Sequence, residues 1–119
     1  MTLLFVALGG ALGSALRYVA ATALDGRWPR GTLAVNVAGS ALLGLLVGLG
    51  HEPGGGGDAA YALVGVGFCG GLTTWSAFAG QTHRLGGRAG AAYAAGTLGL
   101  ALAACALGFW VGSWVDAQA

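Results

Sequence analysis

The chain has 119 residues; 56% are hydrophobic, a further 25 are glycine, and five Arg against four Asp or Glu leave a formal net charge of +1. Water-soluble domains carry charge at about a quarter of their positions. At 8% charged residues, this chain cannot cover a water-facing surface, so neither a soluble globular domain nor a disordered chain is expected, and five scattered Arg make no nucleic-acid-binding patch.

The composition fits an all-α membrane protein with room for four spans of ~20 apolar residues and little else. The first span is expected over about residues 3–24, interrupted only by Arg17. No Lys or Arg precedes it, so it reads as an anchor that stays rather than a removable signal. Asp25-Gly-Arg-Trp-Pro-Arg-Gly31 is a loop by composition. A second span is expected over about 32–50, and His51-Glu52-Pro53 with Gly54 to Gly57 forms a flexible connection. A third span covers about 59–80, a polar Gly-rich stretch follows from Gln81 to Arg88, and a fourth span covers about 89–115. The runs are continuous rather than alternating, which favours helices over barrel strands. One four-helix transmembrane domain, 1–119, accounts for the whole chain. Tyr18, Trp28, Tyr61, Trp110 and Trp114 fall near span ends, where amphipathic rings favour the headgroup level. Cys69 and Cys105 lie in apolar runs without metal-ligand spacing and read as small buried thiols.

Small residues recur at four-residue spacing: Gly9 and Gly13, then Ser40, Gly44 and Gly48, then Gly108 and Gly112. Such stripes let helix backbones approach closely. They serve either packing within one bundle or a dimer interface. Four helices of this size enclose little interior, so a pore would call for an oligomer.

Polar residues inside a span are functional candidates by default. Arg17 either snorkels to the nearest interface or makes an electropositive vestibule for an anion. Asn36, with Ser40 one turn on, makes an interhelical hydrogen bond or offers amide hydrogens to an anion without a trapping charge. Glycines at 65, 67, 70 and 71 precede Thr73, Thr74 and Ser76. Clustered glycine weakens a helix by ~1 kcal/mol each, so the third span is expected to break mid-membrane at Gly70-Gly71. Such a break lines a cavity or is buried in protein; otherwise the segment is a kinked packing helix. Trp75 and Phe78 share a face just beyond, and their rings either pack or turn their partly positive edges to an anion. Tyr93 and Thr97 continue a polar track or bond their own backbone. His51, His83 and the scattered carboxylates form no catalytic grouping, so transport is preferred to chemistry and no enzyme is expected.

These residues resemble the small bacterial fluoride channels, the Fluc or CrcB family. Three motifs carry the resemblance in order along the chain: Gly9-Gly-Ala-Leu-Gly-Ser-Ala-Leu-Arg-Tyr18, Gly31-Thr-Leu-Ala-Val-Asn-Val-Ala-Gly39, and Gly67-Phe-Cys-Gly-Gly-Leu-Thr-Thr-Trp-Ser-Ala-Phe78. The resemblance implies an antiparallel, dual-topology dimer in the bacterial cell membrane with two fluoride pores. By the same resemblance Asn36 and Phe78 line the pore, Trp75 stands where the family has its first pore phenylalanine, Thr74 and Ser76 lie beside it, and Arg17 is the first-helix Arg. The carbonyls of Gly70 and Thr73 match those that hold a central structural sodium ion. Trp75 is larger than Phe and adds an N–H donor, and Ala77 replaces the usual hydroxyl residue.

Arg27, Arg30, Arg84 and Arg88 fall on one side of the membrane in this topology, and the other side has no Arg or Lys. Short-loop bias of that kind fixes orientation. It raises a heterodimer with an oppositely oriented homologue as an alternative to the homodimer that the resemblance favours. Two other functions compete. A small multidrug-type proton antiporter needs a membrane-embedded carboxylate, and the only Glu is Glu52, in a loop. A non-transporting membrane assembly subunit would carry no ion flux.

Overall fold

The computed structural model describes residues 1–52 and 58–119 and is all-helical apart from short connections. Pro53 and Gly54 to Gly57, the expected flexible connection, lie outside the described residues. Helix α1 spans Thr2–Leu24 and α2 spans Arg30–Gly48. A π-helical segment, Tyr61–Cys69, runs into the short α3, Gly70–Leu72. Helix α4 spans Trp75–Leu85 and α5 spans Gly87–Gln118. Counting Tyr61–Leu85 as one broken span, four helices among the described residues are long and apolar enough to cross a membrane.

Two boundaries differ from the sequence reading for one reason. Gln81 to Arg88 is not a loop: α4 continues to Leu85, and α5 starts at Gly87. The reversal is made by Gly86 and Gly87 alone, at φ 62° and 50°. Only glycine enters that region without Cβ strain, so the chain turns without a longer connection. His83 and Arg84 occupy the last turn of α4, where the helix dipole favours positive charge.

The break also lies elsewhere than expected. Gly70 and Gly71 are helical, and the chain leaves the helix at Thr73 (φ −80°, ψ 155°) and Thr74 (φ −148°, ψ 122°). The glycines act one step earlier. Across Gly65 and Gly67 the helix widens to π geometry, a rare form that recurs at functional sites.

The small-residue stripes pack within the chain. A Cβ at Gly9 or Gly13 would overlap the Leu63 or Phe68 carbonyl of the π-helical segment. Gly44 and Gly48 sit on the Cys105 and Phe109 carbonyls of α5, and Gly108 and Gly112 return the contact on Ala41 and Leu45 of α2. Backbone approach of this kind gathers many small dispersion contacts where lipid supplies no hydrophobic drive. The α2–α5 and α1–third-span pairs are accordingly the most extensive in the molecule. Small side chains such as Ala62 and Cys69 fill the core beside Leu72, while Leu3 is 84% and Leu102 71% exposed. Large apolar side chains on the outside match a surface that faces lipid rather than water.

Candidate functional site

The break is held from two sides. Thr74 is extended, so its N–H cannot continue the helical ladder to the Gly70 carbonyl; it donates instead to Asn36 Oδ1 at 2.7 Å. Asn36 Nδ2 donates back to the Thr74 carbonyl at 3.2 Å. One carboxamide thus satisfies both backbone groups of the residue at which the helix is interrupted, which buried peptide groups require. Asn36 is presented by a helix whose next turn is tied to it: Ser40 Oγ donates to the Asn36 carbonyl at 2.7 Å. On the other side Arg17 Nη1 donates to the Thr73 carbonyl at 3.2 Å. Arg17 therefore reaches inward to the break rather than outward to the headgroups.

Thr73 closes the first half-helix, its N–H and hydroxyl both donating to the Cys69 carbonyl, at 2.9 and 2.8 Å. Thr74 opens the second: its Oγ1 accepts from the Ala77 N–H at 3.2 Å as an N-cap and lies 3.3 Å from Ser76 Oγ. An N-capped half-helix points its partial positive charge at the break. Beyond the cap, Trp75 and Phe78 stand with ring centroids 5.1 Å apart, and Phe78 and Tyr93 with centroids 5.7 Å apart, all tilted. Phe78 is buried, whereas Trp75 is 70% exposed.

Asn36, Thr73, Thr74, Trp75 and Phe78 all line one groove of about 470 Å³, with Gly70 on its wall. Of the residues singled out in the sequence, Ser76 stands just outside the lining and Arg17 behind the break. Gly70 is exposed, and a Cβ built there would meet nothing within 4 Å. Thr97 also lines the groove, and its buried hydroxyl has no partner among the described residues.

The sequence reading missed a second polar cluster beside the aromatic rings. Asp25, at the end of α1, accepts from the Thr32 N–H at 3.0 Å and from the Thr32 hydroxyl at 2.8 Å. Gln81 Nε2 donates to Asp25 and Thr32, and the Tyr93 hydroxyl donates to Gln81 Oε1. The polar, Gly-rich run from Gln81 reads as a connection, which hides the position of Gln81 three residues beyond Phe78 on α4. At the opposite end of the molecule His51 Nδ1 and Asp58 Oδ2 are 2.7 Å apart. The Tyr61 backbone N–H and then His51 hold the Asp58 carboxyl below its ordinary value.

Comparison with known proteins agrees with this architecture. The family model described as CrcB-like protein, Camphor Resistance (CrcB), matches residues 4–112. A protein of Rhodospirillum rubrum named fluoride-specific ion channel FluC is 40% identical over 94% of this chain and 92% of its own length. One of Paracoccus denitrificans with the same name is 46% identical over 93% of this chain and 94% of its own. A third, fluoride-specific ion channel FluC 2 of Rhodococcus jostii, is 49% identical over 66% of this chain and 67% of its own. With a match across all four spans and such relatives along most of its length, the chain belongs to the CrcB family.

Proposed function

We propose that this multi-pass membrane protein is a subunit of a fluoride-selective channel that lets the anion leave the cytoplasm passively and so confers fluoride resistance. The observation that carries the reading is the broken third span, clamped by Asn36 and opening through Phe78 and Trp75 onto a groove. Two relatives matched over most of their length carry the fluoride-channel name.

Fluoride is small and holds its water strongly, so a pore must replace that water with donors, as other filters do with their own ligands. Four kinds of donor converge here. Asn36 Nδ2 has a second hydrogen beyond the one given to Thr74. The Thr74 and Ser76 hydroxyls flank the half-helix start, whose free backbone N–H groups face the break. The edges of Phe78 and Trp75 supply weak positive charge without a full cation. Arg17 adds long-range positive potential from behind the break. Neutral donors bind weakly enough to release the ion onward. Hydrogen fluoride crosses membranes as the neutral acid and ionises inside, and an inside-negative potential then drives the anion out through the channel.

The channel in this reading is an antiparallel, dual-topology dimer in the bacterial cell membrane. Polar groups on an open face support it. Gly70, Trp75 and Ser76 are exposed at mid-span, and polar backbone is not left against lipid. A second copy laid on that face would cover it and close each groove. The carbonyls of Gly70 and Thr73 are the groups proposed to hold a sodium ion between the copies. Gly70 fits: its carbonyl loses the helical partner Thr74 N–H to Asn36, and the residue is exposed. The Thr73 carbonyl accepts from Arg17 and keeps a second lone pair. A sodium ion there would offset the carbonyl dipoles of two facing breaks.

The test is fluoride efflux from liposomes holding the purified protein, with chloride as control. Fluoride flux without chloride flux is expected. No fluoride flux, alone or with a co-purified homologue, overturns the reading. One observation favours a variant of it: Arg27, Arg30, Arg84 and Arg88 are all exposed at the same end of the bundle. Such bias would insert the chain one way and call for an oppositely oriented homologue as partner. Reporter fusions at the C-terminus decide: equal populations on both sides mean a homodimer, and a single orientation means a heterodimer.

A further inference from the structure

Every Arg outside the spans lies at one end of the bundle. Arg27 stands between α1 and α2, and Arg30 opens α2. Arg84 is in the last turn of α4, and Arg88 is in the first turn of α5. Gln81 Nε2, on Asp25 Oδ2 at 3.2 Å, ties the end of α4 to the α1–α2 connection. All four Arg are exposed.

The chain does not neutralise them. Among the described residues the ion pair is His51 with Asp58, and no Arg takes part in one. Asp25, the one acid at this end, is turned inward: Oδ1 accepts from the Thr32 N–H, and Oδ2 from the Thr32 hydroxyl and Gln81. The remaining acids stand at the far end. Asp58 Oδ1 accepts from the Tyr61 N–H, Asp116 lies beside Gly50, and Glu52 follows α2. Counter-charge for the four guanidinium groups must therefore come from outside the chain.

Helix length sets their depth. The 23 residues of α1 rise about 35 Å, slightly more than the ~30 Å hydrocarbon core, so the residues just past Leu24 stand at headgroup level. Trp28, between Arg27 and Arg30, is exposed, and indole rings favour that level. Toward the membrane interior, Leu24 and Val19 of α1 are exposed as well, an apolar surface fit for an acyl chain.

We propose that this end binds anionic glycerophospholipid: Arg27, Arg30, Arg84 and Arg88 take headgroup phosphates, Trp28 sits at the glycerol level, and tails lie along Leu24 and Val19. The planar fork of a guanidinium matches a phosphate in bidentate, charge-assisted contact. A zwitterionic lipid carries a phosphate too, but its own ammonium offsets the attraction. The proposal does not rest on the fluoride-channel reading.

The test uses purified protein in mixed detergent micelles. Brominated phosphatidylglycerol and brominated phosphatidylcholine quench tryptophan on contact, and the difference between wild-type and Trp28→Phe protein isolates Trp28. Phosphatidylglycerol is expected to quench Trp28 at a mole fraction at least ten-fold lower than phosphatidylcholine. Arg27→Gln and Arg84→Gln should each reduce that preference by about five-fold, the worth of one basic group at an anionic surface, with unchanged gel filtration. All four Arg→Gln changes together should abolish it. Inorganic phosphate separates the two sources of a phosphate group: at the concentration of the lipid it should leave the quenching in place. Equal quenching by the two lipids, a preference untouched by the single Arg→Gln changes, or displacement of the lipid by inorganic phosphate each overturns the proposal. No flux is read, so its failure leaves the channel reading standing, and absence of fluoride flux leaves this proposal standing.

Discussion

Replacing Asn36 by Asp changes one group, yet two separate consequences follow from the geometry. One carboxylate oxygen can still accept the Thr74 N–H, as Oδ1 does now at 2.7 Å. The other then stands where Nδ2 stands, 3.2 Å from the Thr74 carbonyl oxygen, and two acceptors face each other. Losing that bond and leaving the carbonyl unpaired costs ~1–3 kcal/mol. The second consequence is a fixed negative charge on the groove wall. At 4–8 Å from a passing anion, with an effective dielectric constant of about 20, the repulsion is ~2–4 kcal/mol. That alone slows passage by a factor of about 30 to 1,000. Asn36→Asp is therefore expected to cut fluoride efflux by about 100-fold or more, while circular dichroism and gel filtration show a folded protein. A fluoride electrode following efflux from liposomes reads this directly. Flux within about three-fold of wild type would refute the placement of Asn36 on the ion path, since ~0.7 kcal/mol is all that such a change allows.

Phe78→Ile removes a ring wedged between Trp75 and Tyr93; each aromatic pair is worth ~0.5–1.5 kcal/mol, and flux should fall by about ten-fold or more in the same assay. Gly44→Leu drives a side chain into the Cys105 carbonyl; it should lower stability by ~1–3 kcal/mol, seen as a lower Tm in detergent, without changing the oligomeric state, because that stripe packs within the chain. The Asp58 carboxyl is held below its ordinary value by the Tyr61 backbone N–H and then His51. Its contribution to stability is present above that value and disappears as pH falls through the lowered one. Thermal melts between pH 7 and 3 should show Asp58→Asn losing the acid-dependent part of the transition that wild type displays.

Much of the site was legible because polar residues stand out against lipid. Asn36, Thr73, Thr74 and Phe78 were picked from sequence alone, and the structure brings them into one groove. The break was placed three residues early. Glycine marks where a helix is weak, but the chain parts where another group can take up the freed peptide, and Asn36 offers itself to Thr74 rather than to Gly70 or Gly71. Arg17 was weighed as a snorkelling or vestibule charge; neither alternative anticipated the Thr73 carbonyl as its partner. Gln81 is hidden because Gln81 to Arg88, polar or small at every position but Leu85, looks like a connection when two glycines suffice to make it.

Hydropathy and charge by themselves determined the membrane class, the four spans and the shortlist of neutral donors, since the cost of putting a polar group in lipid is local and adds residue by residue. Only the tertiary structure decided what those donors hold. Asn36 and Thr74 are 38 positions apart, Arg17 and Thr73 are 56 apart, and the stripes of glycine acquire partners only when α2 meets α5 and α1 meets the third span. The scarcity of charge first set the class; in three dimensions, Asp25 accepts from Thr32 and Gln81, and Arg17 reaches the break. A hydrogen bond is settled by where two groups meet and which of them can donate, and no linear pattern contains either fact.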